Sequence, residues 1–145
     1  MSRAAFVVDT NVLVAGLLTA RPTSPVAQVL DAMLAAAFPF AASDALLAEY
    51  GTVLSRPRLR RLHGLSAPEV DSLLTELALH AIVLAPVAGP PAPDPGDQLL
   101  WDLLATRGDL RLVTGDQALL AHPAYAARVL TPRRFIEAHL HRRPA

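Results

Sequence analysis

Five acidic side chains in this sequence stand where a fold could gather them. Asp9 follows directly on the apolar run Ala5-Phe6-Val7-Val8, and Asp116 follows Leu112-Val113-Thr114-Gly115. Asp94 and Asp97 lie three residues apart ahead of an apolar helical stretch, so both can point into one turn. Glu49 sits amid Leu46, Leu47, Val53 and Leu54, near the apolar stripe of its helix rather than opposite it. Brought together, such groups repel: two like charges about 4 Å apart cost ~4 kcal/mol at an effective dielectric of 20. A folded chain tolerates that where protons or cations neutralise the charge. Oxygen-only ligands suit the hard cations Mg²⁺ and Mn²⁺. No histidine or cysteine lies near these motifs in sequence, which disfavours zinc. Taken singly, Asp94 and Asp97 read as helix caps, Asp116 as a turn residue and Glu49 as a surface acid. Asp9, a charge embedded in the apolar stretch from Phe6 to Leu18, needs a partner. Their joint placement points to a metal-binding edge.

The elements that must position these acids alternate between strand and helix. Ala5 to Val8 is a continuous apolar run, as in a strand buried on both faces. Ser24-Pro25 opens a helix with a serine N-cap and proline at its first position. Phe38-Pro39-Phe40-Ala41 reads as a weak strand, with Pro39 against it. A helix follows from Ser43 to about Leu54. Ser66-Ala67-Pro68-Glu69 is a capping box. Val70, Leu73, Leu74 and Leu77 then form one apolar helix face. Ile82-Val83-Leu84 is the next strand, and Ala88 to Pro93 an ordered or semi-rigid loop. Asp94-Pro95 starts a helix carrying Leu99, Leu100, Leu103 and Leu104. Leu110 to Thr114 is a strand with Gly115-Asp116 as its exit turn, and Thr131-Pro132 caps a last helix containing Phe135, Ile136 and Leu140. This alternation implies parallel strands joined by crossovers, hence an α/β sandwich. In such sheets ligands bind outside the carboxyl ends of the strands, where Asp9 and Asp116 fall.

Length and composition set the bounds. The 145 residues fit one domain, 1–145, and 52% hydrophobic content supplies a sizeable core. Without cysteine there is no disulfide framework and no thiolate metal site, which suits a reducing, cytoplasmic setting. Met1-Ser2-Arg3 and the apolar stretch to Ala20 resemble a signal peptide. Asp9 in its middle would cost roughly 2.5–3.5 kcal/mol on insertion, and the stretch is too short to span comfortably. The expectation is a soluble, retained chain that does not cross a membrane. Formal net charge is zero, and all thirteen basic residues are arginine, a side chain suited to phosphate but also a mark of compositional bias.

The motifs resemble those of a known family. Val7-Val8-Asp9-Thr10-Asn11-Val12-Leu13 is similar to the opening strand and turn of PIN domains. Leu46-Leu47-Ala48-Glu49-Tyr50, then Val53-Leu54-Ser55-Arg56-Pro57-Arg58-Leu59, resembles their second acidic motif and its basic follow-on. Asp94-Pro95-Gly96-Asp97 resembles the third, and Leu112-Val113-Thr114-Gly115-Asp116 the fourth. Val129-Leu130-Thr131-Pro132, with Phe135, resembles the closing elements of one subgroup, the toxin components of toxin–antitoxin pairs. Four motifs occur in the right order, and the likeness covers a core of about residues 5–137 ahead of a short tail.

The resemblance implies a three-layer sandwich with a central, mostly parallel sheet flanked by helices. It also implies an endoribonuclease dependent on Mg²⁺ or Mn²⁺. By position, Asp9, Glu49, Asp97 and Asp116 match the acidic quartet, with Asp94 a further metal-binding acid. Thr10, Asn11 and Thr114 match polar residues that orient the quartet. Arg56, Arg58, Arg60 and Arg61 form the densest basic run and are candidates for the RNA backbone, an antitoxin, or a solvated loop. Arg133-Arg134 and Arg142-Arg143 are weaker candidates, and His139 and His141 do not face each other on a helix. The implied partners are RNA, an antitoxin and a second copy, for which the Ala/Leu-rich stretch from Ser24 to Ala37 offers a surface. Three other readings compete. A phosphatase with a nucleophilic Asp would need a second acid where Asn11 stands; a non-catalytic PIN module would not need all four acids; and action on DNA leaves the motifs unchanged.

Overall fold

The structure, a computed structural model, describes residues 4–140. His141, Arg142 and Arg143 therefore lie outside the described residues. Along the chain run β1 (Ala5–Val8), α1 (Thr10–Leu18), α2 (Pro25–Leu34), β2 (Ala41–Ala42), α3 (Asp44–Leu54), α4 (Pro57–His63), α5 (Ala67–His80) and β3 (Ile82–Val83). After a loop and a 3₁₀ turn (Pro95–Asp97) come α6 (Gln98–Thr106), β4 (Leu110–Val113), α7 (Gln117–Ala121), β5 (Val129–Leu130) and α8 (Pro132–Phe135). A π-helical turn, Ile136–Leu140, continues α8.

Every ladder is parallel. β1 pairs with β4 from Ala5 opposite Leu110 to Val8 opposite Val113, and β4 pairs with β5. β2 pairs with β3, and a bridge between Phe6 and Phe40 joins the two ladders. The strand order is thus β3-β2-β1-β4-β5, with β1 and β4 in the middle and fully buried apart from Arg111. That burial explains their unbroken apolar character. Helices pack onto the sheet, α3 against β2, α6 against β4 and α7 against β5, which gives the α/β sandwich expected.

The caps behave as their sequences dictate. Ser24, Ser43 and Thr131 each accept the backbone N–H three residues on, and Ser66 with Glu69 forms the reciprocal capping box. Several elements depart from the sequence reading. β2 begins at Ala41; Phe40 bridges to Phe6 and its carbonyl accepts the Ile82 N–H at 2.8 Å, while Pro39 has no N–H to donate. β3 stops at Val83, one residue short of the expected Leu84, and leaves Ile82 and Val83 exposed at the sheet edge. The Asp94-Pro95 start is a 3₁₀ turn, and the α-helix proper begins at Gln98. The basic run after Arg56 is helix α4, ended by Gly64 in the left-handed conformation at φ 71°. No residue of α4 is buried; His63 ties it down, with Nε2 2.9 Å from the Leu54 carbonyl and Nδ1 accepting the Leu65 N–H at 2.9 Å.

One packing bears directly on the acids. The loop before Asp94 is strapped to α6: Gly89 N–H donates to Asp102 Oδ1 at 2.8 Å, Ala92 N–H to Gln98 Oε1 at 2.9 Å, and Gln98 Nε2 to the Pro90 carbonyl at 2.9 Å. A Cβ on Gly89 would stand 2.7 Å from the Trp101 carbonyl oxygen, so only glycine allows that approach. α2 turns Ala27, Val29, Leu30 and Met33 into the core and crosses α1, so the apolar face considered for a second copy is consumed within the chain.

Gly16 sets how closely α1 and α2 cross. A Cβ there would lie 2.6 Å from the Val26 carbonyl oxygen and 3.1 Å from Leu30 Cβ. In an open helix, Gly→Ala gains about 1 kcal/mol. Here Gly16→Ala is expected to destabilise by about 1–3 kcal/mol, because backbone must move. Urea unfolding checks it; a variant as stable as the native chain would show that the helices have room to part.

Candidate active site

Asp9 directly follows β1 and is buried, with 6% of its surface exposed. Its backbone N–H donates to the Val113 carbonyl at 3.0 Å, which continues the β1–β4 ladder by one step. That register sets the Asp9 side chain beside Thr114, the fully buried residue after β4. Thr114 Oγ1 donates to Asp9 Oδ2 at 2.7 Å and accepts the Asp116 N–H at 3.0 Å. Asn11 Nδ2 donates to the same Asp9 oxygen at 3.2 Å. Burial pushes the Asp9 carboxyl above its ordinary pKa; the bond from Thr114 and backbone bonds at Asn11 and Thr10 oppose this, and the Glu49 charge adds to it.

Glu49 reaches the same place from α3. Thr10 Oγ1 donates to Glu49 Oε2 in a short bond. The next residue anchors that helix: the Tyr50 hydroxyl, wholly buried, donates to the Val8 carbonyl at 2.5 Å. Burial, then the charges of Asp9 and Glu49, hold the phenol well above its ordinary range, so it stays a donor. Asp97 lies at the turn before α6, half-buried. Its pKa is pushed up to about 6, first by burial and then by the charges of Asp9, Asp116, Asp94 and Glu49 in that order. All five acids named from the sequence thus share one electrostatic neighbourhood.

They do not share it equally. Asp116 spends Oδ1 on the Ala118 N–H at 2.9 Å, capping α7. Asp94 is exposed, and its side chain accepts from the Gly96 N–H across the 3₁₀ turn. A cleft of about 560 Å³ is lined by Asp9, Glu49 and Asp97, with Thr10, Asn11 and Arg56. Of the four arginines in the basic run, only Arg56 lines this cleft; Arg60 and Arg61 line a separate one beside Ser66 and Glu69. His139 packs its ring on Phe6 and Phe135, away from the acids. The sequence reading missed Tyr50 as an anchor and the cleft walls Val14, Ala15, Leu18 and Val53. The spacing of Asn11, Val14, Ala15 and Leu18, at i, i+3, i+4 and i+7, carried the signal for those on α1.

Among the described residues no three acidic or histidine side chains already stand close enough together to cage an ion. The donor set nonetheless suits one: oxygen only, with burial first and then neighbouring negative charge raising the pKa of Asp9 and Asp97. A hard divalent cation fits that chemistry, and Asp9, Glu49 and Asp97 face the cleft from which it would enter.

Carboxylates collected at the carboxyl edge of a parallel sheet, beside an open cleft, define a nuclease-type α/β fold. The family model of the PIN domain matches residues 5–118, and the chain belongs to that family. PIN domains are generally nucleases, typically with divalent metals. No curated protein matches the chain closely enough to refine that assignment. Among the described residues no helix is long and apolar enough to cross a membrane.

The raised pKa of Asp97 gives a signed prediction. Its folded value of about 6 exceeds the ordinary 3.8, so between those values the folded chain keeps a proton that the unfolded chain releases. This contribution to stability is present at low pH and lost as pH rises through about 6. In EDTA, Asp97→Asn should therefore melt higher than the native chain at pH 7.5, and the gap should close near pH 4. Added Mg²⁺ should narrow it at pH 7.5. Equal melting temperatures at pH 7.5 would mean that Asp97 is not under charge strain.

Proposed function

We propose that the chain is a divalent-metal-dependent endoribonuclease, its 145 residues forming one PIN domain, with Asp9, Glu49, Asp97 and Asp116 as the catalytic acids. The observation that carries this reading is the opening of Asp9, Glu49 and Asp97 onto one cleft at the carboxyl edge of the sheet in a PIN fold. Mg²⁺ or Mn²⁺ is the cofactor, held by these acids with Asp94 at the rim; bound there, it would activate a water and neutralise charge on the scissile phosphate. Asp9 contributes a carboxylate on a rigid strand end. Thr114 and Asn11 fix which Asp9 oxygen faces the cleft, and Thr10 does the same for Glu49.

Arg56 stands at the cleft, with Arg58, Arg60 and Arg61 exposed on the helix beyond, a path for an RNA backbone with salt-dependent affinity. The same reading makes the protein the cytoplasmic toxin of a toxin–antitoxin pair, whose antitoxin would silence it. The closing motif from Val129 to Phe135 supports that role. A homodimer belongs to the proposal too; exposed Leu79, Ile82 and Val83, where α5 runs into the edge strand, would serve it in place of α2.

The test is cleavage of a labelled structured RNA and a matched DNA with Mg²⁺, Mn²⁺ or EDTA. RNA should be cut only with metal. Asp9→Asn should lose cutting while keeping the native fold by circular dichroism, and Thr114→Val should lose about 10–100-fold, the usual effect of removing a ligand's support. Cutting of DNA alone would move the substrate class. Full activity in the Asp9 variant would overturn the site, and metal-independent silence on every substrate would favour a binding module.

A further inference from the structure

The cleft that opens at the acids continues past them, and its walls change character along the way. On α1, Asn11, Val14, Ala15 and Leu18 recur at i, i+3, i+4 and i+7, and all four line it. On the facing side stand Glu49 and Val53 of α3, then Arg56 just beyond its end. The two walls run the same way. Thr10 bonds Glu49 at one end, and α1 touches α4, the helix Arg56 introduces, at the other. Polar groups therefore lie at the acids, aliphatic side chains in the middle, and one cation at the far end. From Glu49 to the end of α3 at Leu54 the helix rises roughly 7–8 Å, and Arg56 stands beyond it.

We propose that this aliphatic stretch, Val14 and Leu18 against Val53, seats one nucleobase of the substrate by shape, while Arg56 holds the phosphate beyond it. The proposal rests on the nuclease reading above and names a subsite within the same cleft. Three features fix the occupant. The groove is continuous with the acids, so a strand placed for cutting passes along it. An acidic cleft repels phosphates, and Arg56 is the cation among its lining residues. The middle offers neither donor nor acceptor, so it takes the face of a base and reads no hydrogen-bonding edge; a base still paired in a duplex has no free face to give. The volume of about 560 Å³ lies within the usual range for small-ligand sites.

Leu18 is 36% exposed and Val53 half-buried, so polar replacements there leave the core intact. The test measures binding, not turnover: fluorescence anisotropy in EDTA with a labelled single-stranded RNA, and with copies carrying one abasic residue at successive positions. At one position the abasic residue should weaken binding by the native chain, roughly tenfold for the apolar area no longer buried. Leu18→Ser with Val53→Ser should lose the same factor on the intact RNA and nothing further on the abasic one, the mark of a shared contact. Leu18→Met with Val53→Ile should bind as the native chain does. Arg56→Gln should lower the salt slope by about one unit, which the serine variants should not.

An abasic penalty undiminished in the serine variants, or native affinity in them, would overturn the subsite. So would serine variants that keep RNA binding and lose only a protein partner. If the native chain fails to cut with either metal yet shows this coupling, the subsite stands and the nuclease reading falls. If it cuts and shows none, the reverse holds.

Discussion

The hydrogen bond from Thr114 Oγ1 to Asp9 Oδ2, 2.7 Å long, joins the carboxyl ends of the two central strands at the point where both leave the sheet. It is possible only in the observed register. A parallel strand slipped by one residue would turn its side chains to the opposite faces, and Asp9 would meet the apolar core with no donor. An unpaired charge in that setting costs far more than a strand of four residues can offset. The apolar run that buries β1 and the acid that ends it are thus coupled: the run requires a buried position, and the buried acid requires that Thr114 be its neighbour.

From that fixed point the other acids are hung by single contacts. Tyr50 carries α3 to β1 through the Val8 carbonyl, one residue before Asp9, and thereby sets the height of Glu49. Thr10, one residue after Asp9, receives Glu49. Three consecutive residues, Val8, Asp9 and Thr10, therefore meet α3 and the end of β4. On the other flank, the Gln98 and Asp102 bonds to the proline-rich loop hold the turn from which Asp97 projects. Each acid arrives on a different element, and the sheet edge is where those elements converge.

Much of this was legible in the sequence for a physical reason. Serine and threonine caps act locally, so Ser24, Ser43, Ser66 with Glu69, and Thr131 announced helices wherever they stand. Acids directly after β-rich apolar runs announced strand ends, hence Asp9 and Asp116. What stayed hidden depends on tertiary contact. α1 lies inside an apolar stretch whose residues are nearly all buried or half-buried, so the sequence reading places no helix there. α4 buries nothing; its stability comes from Pro57 at its start, Gly64 at its end and His63, not from a pattern. β3 has the right residues for a buried strand and stands at an edge. The family match ends at residue 118, although β5 and α8 complete the sheet and core beyond it.

The acidic edge is also where the fold opposes itself. Thr114 and Asn11 stabilise ionised Asp9, while burial and Glu49 work against it. Asp97 has no comparable donor set and carries the residue of that conflict as a raised pKa. A neutral group in place of Asp97 would relieve the sheet edge, since its burial and its like-charged neighbours would no longer oppose it. Keeping the acid there therefore lowers stability locally, a pattern expected where function and stability compete. A cation bound to the folded chain and not to the unfolded one would reverse the deficit in proportion to the logarithm of its concentration over Kd. In that arrangement the metal acts twice: the same charge that would polarise a phosphate also cancels the repulsion among the carboxylates that hold it.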